Sequence, residues 1–140
     1  EFKKLNKEVV LVLSKNPVGL SEVISTISYD EKPKSVMFVL NDEPADGADI
    51  SWIWDADMKQ VINIPNISKF YSSGNRSEEV ALRIKYTGFP IEKIKIFSSN
   101  ESNIKKSIKA ILNDNQPKSY IIGTFTAVPE IRKILMKEKQ

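Results

Sequence analysis

The sequence has 140 residues, of which 41% are hydrophobic and 28% are charged, which predicts one folded domain rather than a disordered chain. It contains neither cysteine nor histidine, so disulfides, thiolate nucleophiles, Cys/His metal sites and a self-contained Ser-His-Asp triad are excluded within it. The formal net charge is only +3 and the lysines are spread along predicted helices, so we expect solvated surfaces and no nucleic-acid partner.

The sequence predicts neither a transmembrane helix nor a secretory signal. No apolar run approaches the roughly 20 residues that a transmembrane helix needs. The first eight residues are mostly polar and the apolar run that follows is short, which does not fit a secretory signal. Because the first residue is Glu1 rather than Met, we expect a fragment of a longer protein, and part of its active site would then lie elsewhere.

The first half of the sequence alternates between strand and helix patterns. Residues 9–14 form a continuous apolar run, which predicts a strand buried on both faces. A turn at 16–19 leads into a helix whose apolar residues share one side, namely Leu20, Val23, Ile24 and Ile27. A second strand is predicted at 35–40, and a long polar loop follows at 41–49.

The middle of the sequence is less regular. Trp52 and Trp54 would point to opposite faces of an extended segment, and core packing is the expected role of both. Residues 60–64 read as a strand or a strand-like turn, and residues 69–72 as another short strand.

One helix followed by two strand–helix units completes the sequence. Asn75 and Glu78 have the spacing of a capping box, which predicts a helix that carries Val80, Ala81 and Ile84 and stops at Gly88. A strand at 94–97 precedes a helix with one apolar stripe, formed by Ile104, Ile108, Ile111 and Leu112. A further strand is predicted at 119–123, and a last helix begins near Pro129, which suits a first turn.

Repeated alternation of strands and helices predicts the fold class. It calls for an α/β domain: a three-layer, Rossmann-like, mostly parallel sheet with helices on both faces. No internal repeat or linker interrupts the sequence, so residues 1–140 are predicted to form one domain.

Polar loops after the strands are the places where a ligand is expected, because open α/β sheets bind ligands at the carboxyl ends of their strands. Four such loops are predicted, at 15–19, 41–57, 72–77 and 124–126. The second is unusually acidic, and its acids are Asp42, Glu43, Asp46, Asp49, Asp55 and Asp57.

Two interpretations of these acids stay open. Asp often accepts backbone hydrogen bonds in turns and caps, which would make the acids structural. Alternatively, one or two of them orient a base, bind an ammonium group or hold a cation. Arg76, at a predicted helix start, is either an anion or carboxylate partner or an ordinary surface arginine. The sequence has no phosphate-binding glycine loop, so we expect no ATP site in this domain, and no metal site is predicted.

Four segments carry a resemblance to a known family. They are KNPVG (15–19), NDEPADGADISWIWDAD (41–57), SGNRSEEVALRIKYTG (73–88) and GTFTAVPEIRKIL (123–135). In this order they resemble the C-terminal domain of the MurT family, the Mur-ligase-like subunit of lipid II isoglutaminyl synthase. The resemblance implies the Mur ligase C-terminal fold.

The resemblance also implies an activity, which belongs to the complete protein. MurT pairs with a glutamine amidotransferase subunit, GatD, which releases ammonia from glutamine. The pair amidates the D-glutamate of the lipid II stem peptide to D-isoglutamine in peptidoglycan synthesis. ATP and Mg²⁺ would bind in a central domain outside this sequence, so the isolated domain would be inactive. The implied location is cytoplasmic, at the inner face of the bacterial membrane.

Residue roles follow from the same resemblance. In this family an Asp of the C-terminal domain acts as the orienting acid beside the partner's Cys and His, and Asp49 and Asp55 are the candidates, with Asp46 behind them. Asn41, Asp42, Asp46 and Arg76 are the candidate substrate contacts. Two positions depart from the pattern that we expect: Ala48 replaces a basic residue, and Met58 and Lys59 replace an aromatic–acidic pair.

Two alternatives remain beside this interpretation. The domain could dock a partner or a cell-wall precursor without contributing catalytic groups. It could also belong to a different ligase with the same C-terminal architecture, such as a relative of folylpolyglutamate synthase.

Overall fold

A computed structural model describes residues 2–4, 7–47, 49–99 and 103–139, with only the backbone described for 2–4 and 139. These residues form a six-stranded sheet of order β1-β2-β6-β3-β4-β5. The strands are β1 (Phe2–Lys4), β2 (Lys7–Leu13), β3 (Lys34–Val39), β4 (Ile67–Ser73), β5 (Ile94–Ile96) and β6 (Lys118–Gly123). Only β1, which the sequence did not predict, runs antiparallel to its neighbour. The predicted α/β class with a mostly parallel sheet is confirmed.

Helices cover both faces of the sheet. They are α1 (Pro17–Ser28), α2 (Trp52–Asp55), α3 (Ser77–Lys85), α4 (Asn103–Leu112) and α5 (Ala127–Lys139), with short 3-10 helices at Pro44–Asp46, Lys59–Asn63 and Ile91–Lys93. Among the residues that are described, no helix has the length and apolarity needed to cross a membrane.

The central strand β3 divides the interior into two cores because its side chains alternate between the faces. Val36 and Phe38 pack with residues of α1, α2 and α3, including Ile84. Met37 and Val39 pack on the other face, with residues of α4 and α5. All six residues of β3 are buried, as expected of a strand covered on both faces.

The segment 60–64, predicted as a strand or a strand-like turn, instead begins within the 3-10 helix Lys59–Asn63. Val61 and Ile64 are buried in the first core, whereas Ile62 between them is 53% exposed. A three-residue spacing of buried side chains fits a 3-10 helix, which has three residues per turn, and not the alternation of a strand. The strand prediction was therefore wrong.

The two tryptophans lie on the short helix α2, so they do not project from an extended segment as considered. Trp52 packs against the first core, with its ring centroid 6.4 Å from that of Phe38. Trp54 is 42% exposed. Core packing is thus confirmed for Trp52 and wrong for Trp54.

Two helix starts differ from prediction in their details. Residues 17–19, predicted in a turn, are the first turn of α1, where the Asn16 side chain accepts a hydrogen bond from the Gly19 amide at 2.8 Å. At α3 the N-cap residue is Arg76, and the predicted capping box does not form. Asn75 lies one residue before the cap and bonds to another loop instead, while Glu78 accepts hydrogen bonds from Ser77 and Ser99.

Candidate functional site

The loops that follow β3, β4 and β6 meet at one edge of the sheet, because these three strands are adjacent and parallel. Backbone hydrogen bonds continue past the strand ends, from the Leu40 amide to the Ser73 carbonyl (3.0 Å) and from the Thr124 amide to the Val39 carbonyl (3.1 Å). Side chains of the following residues are therefore held close together at this edge, which we call the carboxyl rim.

Asn41, the second residue after β3, joins all three loops. Its amide donates to the Thr124 hydroxyl (3.0 Å) and its side-chain nitrogen donates to the Thr126 hydroxyl (3.2 Å). Its side-chain oxygen accepts from the Asn75 amide at 3.0 Å. Every polar group of this side chain thus has a partner within the domain, which fixes its orientation.

Asp42 and Arg76 form the charged part of the rim. Their ion pair has an N–O distance of 2.8 Å, and the Asp42 amide donates to the Asn75 side chain at 3.0 Å. Arg76 also lies 3.4 Å from a carboxylate oxygen of Glu79, and about a third of its side chain is exposed. The hydrogen bond with Asp42 is the main reason why the pKa of Arg76 is raised, so the guanidinium stays charged.

Asp46 lies at the end of the 3-10 helix Pro44–Asp46, and both of its carboxylate oxygens accept hydrogen bonds from other residues of the domain. One carboxylate oxygen accepts from the Thr126 amide at 2.7 Å. The other accepts from the Thr126 hydroxyl and from the Glu43 amide. For this acid the turn-and-cap interpretation accounts for the observed contacts.

Asp49 and Asp55 lie outside this hydrogen-bonded group and are exposed. One oxygen of Asp49 accepts from the Ser51 amide at 2.9 Å, and hydrogen bonding by Ser51 lowers the pKa of Asp49. Asp55 is on α2, where no hydrogen bond or ion pair joins its side chain to another described residue. Asp57 accepts a hydrogen bond from the Gln60 side chain at 3.0 Å.

The helix that carries Asp55 is held in place by Arg83 of α3. This buried side chain donates to the Ile53 carbonyl at 3.0 Å and to the Ala56 carbonyl at 3.1 Å. Its guanidinium also lies 5.1 Å from the centroid of the Trp54 ring. The Trp54 and Tyr86 rings are in a T-shaped arrangement, with centroids 5.7 Å apart.

The structure thus separates the predicted site residues into two groups. It brings Asn41, Asp42, Asp46 and Arg76 together at the rim and leaves Asp49 and Asp55 on the neighbouring exposed segment. The sequence identified the loops that contain Asn75, Thr124 and Thr126 but not these residues as members of the group. Their positions directly after adjacent strands were the available signal.

The two departures from the family pattern have different outcomes. Ala48 lies outside the described residues. Met58 is buried in the first core, so an apolar side chain is accommodated there by packing. Lys59 is exposed at the start of the 3-10 helix Lys59–Asn63.

Comparison with known proteins identifies the family. A family model described as MurT ligase C-terminal matches residues 13–128. The chain is 41% identical over 130 residues to a protein of Streptococcus pneumoniae named lipid II isoglutaminyl synthase (glutamine-hydrolyzing) subunit MurT. A protein of Staphylococcus aureus with the same name is 40% identical over 84 residues, which are 60% of this chain. The matched region covers 28% of the length of the pneumococcal protein and 19% of the length of the staphylococcal protein. The chain belongs to the MurT ligase C-terminal family.

Proposed function

We propose that this chain serves as the C-terminal domain of an ATP-dependent amide ligase subunit. With a glutamine amidotransferase partner of the GatD type, the complete protein would amidate the D-glutamate of the lipid II stem peptide. Family membership supports this proposal, as do the words "glutamine-hydrolyzing" and "subunit" in the names of the relatives. ATP and Mg²⁺ would be bound by a domain outside this sequence, and the reaction would take place on the cytoplasmic side of the membrane.

The observation that carries the proposal is that the Asp49 carboxylate is both exposed and hydrogen-bonded. An acid that orients a partner's histidine must be ionised, held in position and open to the partner. Asp49 is exposed, its hydrogen bonding with Ser51 favours the ionised form, and that bond restrains the carboxylate. Asp49 is therefore our first choice for the orienting acid.

Asp55 is the second choice, because it is exposed and stands on a helix that Arg83 fixes in place. Asp42 and Asp46 are poorer choices. Asp42 is paired with Arg76, and both oxygens of Asp46 accept hydrogen bonds from the domain's own backbone and side chains.

In the proposed mechanism the acid acts on the partner's active centre. Its carboxylate would accept the N–H of the partner's imidazole, which sets the tautomer that can take a proton from the cysteine thiol. The carboxylate would also stabilise the imidazolium that forms. In the domain outside this sequence, ATP would convert the carboxylate of D-glutamate to an acyl phosphate. Ammonia released from glutamine would then attack the acyl carbon, and phosphate would leave as the amide forms.

We propose that the carboxyl rim contributes to holding the substrate. Arg76 supplies a permanent positive charge that could bind a stem-peptide carboxylate in exchange for part of its bond to Asp42. Asn41 and Asp46 would shape this site, because their hydrogen bonds tie the loops after β3 and β6 together.

Single substitutions in the complete protein, combined with the amidotransferase partner, test the orienting acid. We expect Asp49→Asn to reduce ammonia release from glutamine by about 10²–10⁴-fold, because a carboxamide no longer sets the imidazole tautomer or stabilises its cation. Complex formation, measured by size-exclusion chromatography, should be unchanged. Asp55→Asn is tested in parallel as the second choice.

Asp57→Asn is the matched control, since Asp57 is an exposed acid of the same segment. Its ammonia release should equal that of the unsubstituted complex. If neither Asp49→Asn nor Asp55→Asn slows glutamine hydrolysis, the domain does not supply the acid, and a docking role without catalytic groups is favoured. Folate-dependent ATP turnover by the complete protein would instead support the folylpolyglutamate alternative, which the names of the relatives do not favour.

A further inference from the structure

Helices α4 and α5 bring together lysines that are far apart in the sequence. Lys105 and Lys109 of α4 and Lys133 and Lys137 of α5 line one shallow groove between the two helices, together with Ile134 and Glu138. All four lysines are exposed. Lysines that looked dispersed along the sequence therefore form one surface, which we call the lysine face.

The two helices that form the lysine face dominate the charge distribution of the domain. Helices α4 and α5 contain seven basic and two acidic residues, so they contribute +5, whereas the whole chain carries +3. The rest of the chain is therefore slightly negative. Within the described residues, none of the four lysines forms an ion pair, since the pairs found there involve other basic residues. Their charge is available to an external anion.

The chemistry of this surface favours a diffuse array of phosphates over a nucleic-acid strand. Neither α4 nor α5 contains an aromatic residue on which bases could stack. Lysine carries a compact, strongly hydrated charge on a flexible stem, so it adapts to groups that move past it. Ile134, which lines the same groove and is partly exposed, adds apolar area beside the charges.

We propose that the lysine face binds the anionic phospholipid headgroups of a membrane surface. Lysines near an anionic leaflet each strengthen binding by roughly fivefold, so four of them account for on the order of 10³-fold. The opposite face of the sheet carries α2, so Asp55 would remain accessible when the lysine face is on the membrane. This inference goes beyond the proposed ligase role and does not depend on it.

Vesicle co-sedimentation with the 140-residue chain tests the proposal. We expect binding to vesicles that contain phosphatidylglycerol and not to vesicles of phosphatidylcholine alone. Binding should fall steeply when the salt concentration is raised from about 0.1 M to about 0.5 M, because exposed charges are then screened within a few ångströms. Exchanging the four lysines for arginine should preserve binding, because the charge is kept.

The decisive comparison uses two variants with equal net charge. One carries Lys→Gln at Lys105, Lys109, Lys133 and Lys137. The other carries Lys→Gln at four exposed lysines outside α4 and α5, namely Lys32, Lys59, Lys69 and Lys85. Each variant lowers the formal charge from +3 to −1. The first should lose on the order of 10³-fold in vesicle affinity, whereas the second should lose less than about tenfold.

Three results would overturn the proposal. Equal losses in the two variants would show that net charge, rather than this surface, determines binding. Release of bound chain by inorganic pyrophosphate at constant ionic strength would indicate a small-anion site. Tighter binding to a single-stranded oligonucleotide than to anionic vesicles would indicate a nucleic-acid surface. This experiment does not measure glutamine hydrolysis. A failure to bind anionic vesicles would therefore leave the orienting-acid proposal unaffected.

Discussion

At the scale of single residues, Gly74 determines how closely two loops of the carboxyl rim approach each other. Its φ of +91° lies in the left-handed region, and a β-carbon there would lie 2.3 Å from the Leu40 carbonyl oxygen. The Arg76 amide donates to that same oxygen at 3.1 Å. The contacts between Asn41 and Asn75 thus depend on the absence of a side chain at position 74.

We predict that Gly74→Ala lowers the free energy of unfolding by about 3–5 kcal/mol, because left-handed strain and overlap with the Leu40 backbone add together. Gly88→Ala is the matched control, since Gly88 has a φ of +93° but open space around its α-carbon. That variant should lose only about 1–2 kcal/mol. Urea denaturation measures both values, and equal losses would contradict the close approach at Leu40.

At the scale of elements, α2 is too short to be stable by itself, because helices of a few residues do not offset the entropy of nucleation. Its position depends on contacts with its neighbours. Trp52 packs against Phe38 below it, and Arg83 binds the carbonyls of Ile53 and Ala56. Burial lowers the pKa of Arg83, but the guanidinium remains a cation that can hold both carbonyls.

Replacing Arg83 with Met should therefore detach α2. We expect a loss of about 2–4 kcal/mol in the free energy of unfolding, since two hydrogen bonds from a charged group disappear. The Ala56 carbonyl keeps its hydrogen bond from the Met58 amide, so the Ile53 carbonyl is the more affected of the two. Trp54 fluorescence should change as well, because the cation beside its ring is removed. Lys85→Met on the same helix is the control and should cost less than about 0.5 kcal/mol, as Lys85 is exposed. A similar loss in both variants would contradict the role assigned to Arg83.

At the scale of the whole molecule, two separate cores share one sheet. Ile84 lies in the core beneath α1, α2 and α3, and Ile108 lies in the core beneath α4 and α5. Both side chains are fully buried. Because every central strand contributes to both cores, neither is expected to unfold without the other.

We predict that Ile84→Val and Ile108→Val each cost about 0.5–1.5 kcal/mol and that the double variant costs their sum within about 0.5 kcal/mol. Unfolding should remain a single transition when it is followed by circular dichroism and by fluorescence. Ile91→Val should have a smaller effect, since Ile91 is 62% exposed. Two separate transitions in any of these variants would show that the cores unfold independently.

The sequence by itself determined the architecture, the domain's family resemblance and the loops where a site was expected. Periodic apolar residues such as Leu20, Ile24 and Ile27 predicted a helix correctly because their spacing is a local property that needs no knowledge of distant contacts. The family resemblance was confirmed by comparison. The roles of Asp49 and Asp55 stay predictions.

Only the tertiary structure decided which polar residues meet. Asp42 pairs with Arg76, which lies 34 residues further along the chain, and Asp46 binds Thr126, which lies 80 residues away. The lysine face likewise exists only because α4 packs beside α5. Such contacts depend on strand order and helix packing, which local spacing does not contain. The 3-10 helix Lys59–Asn63 was missed for a related reason: short apolar runs do not distinguish it from a strand until the core beneath it is known.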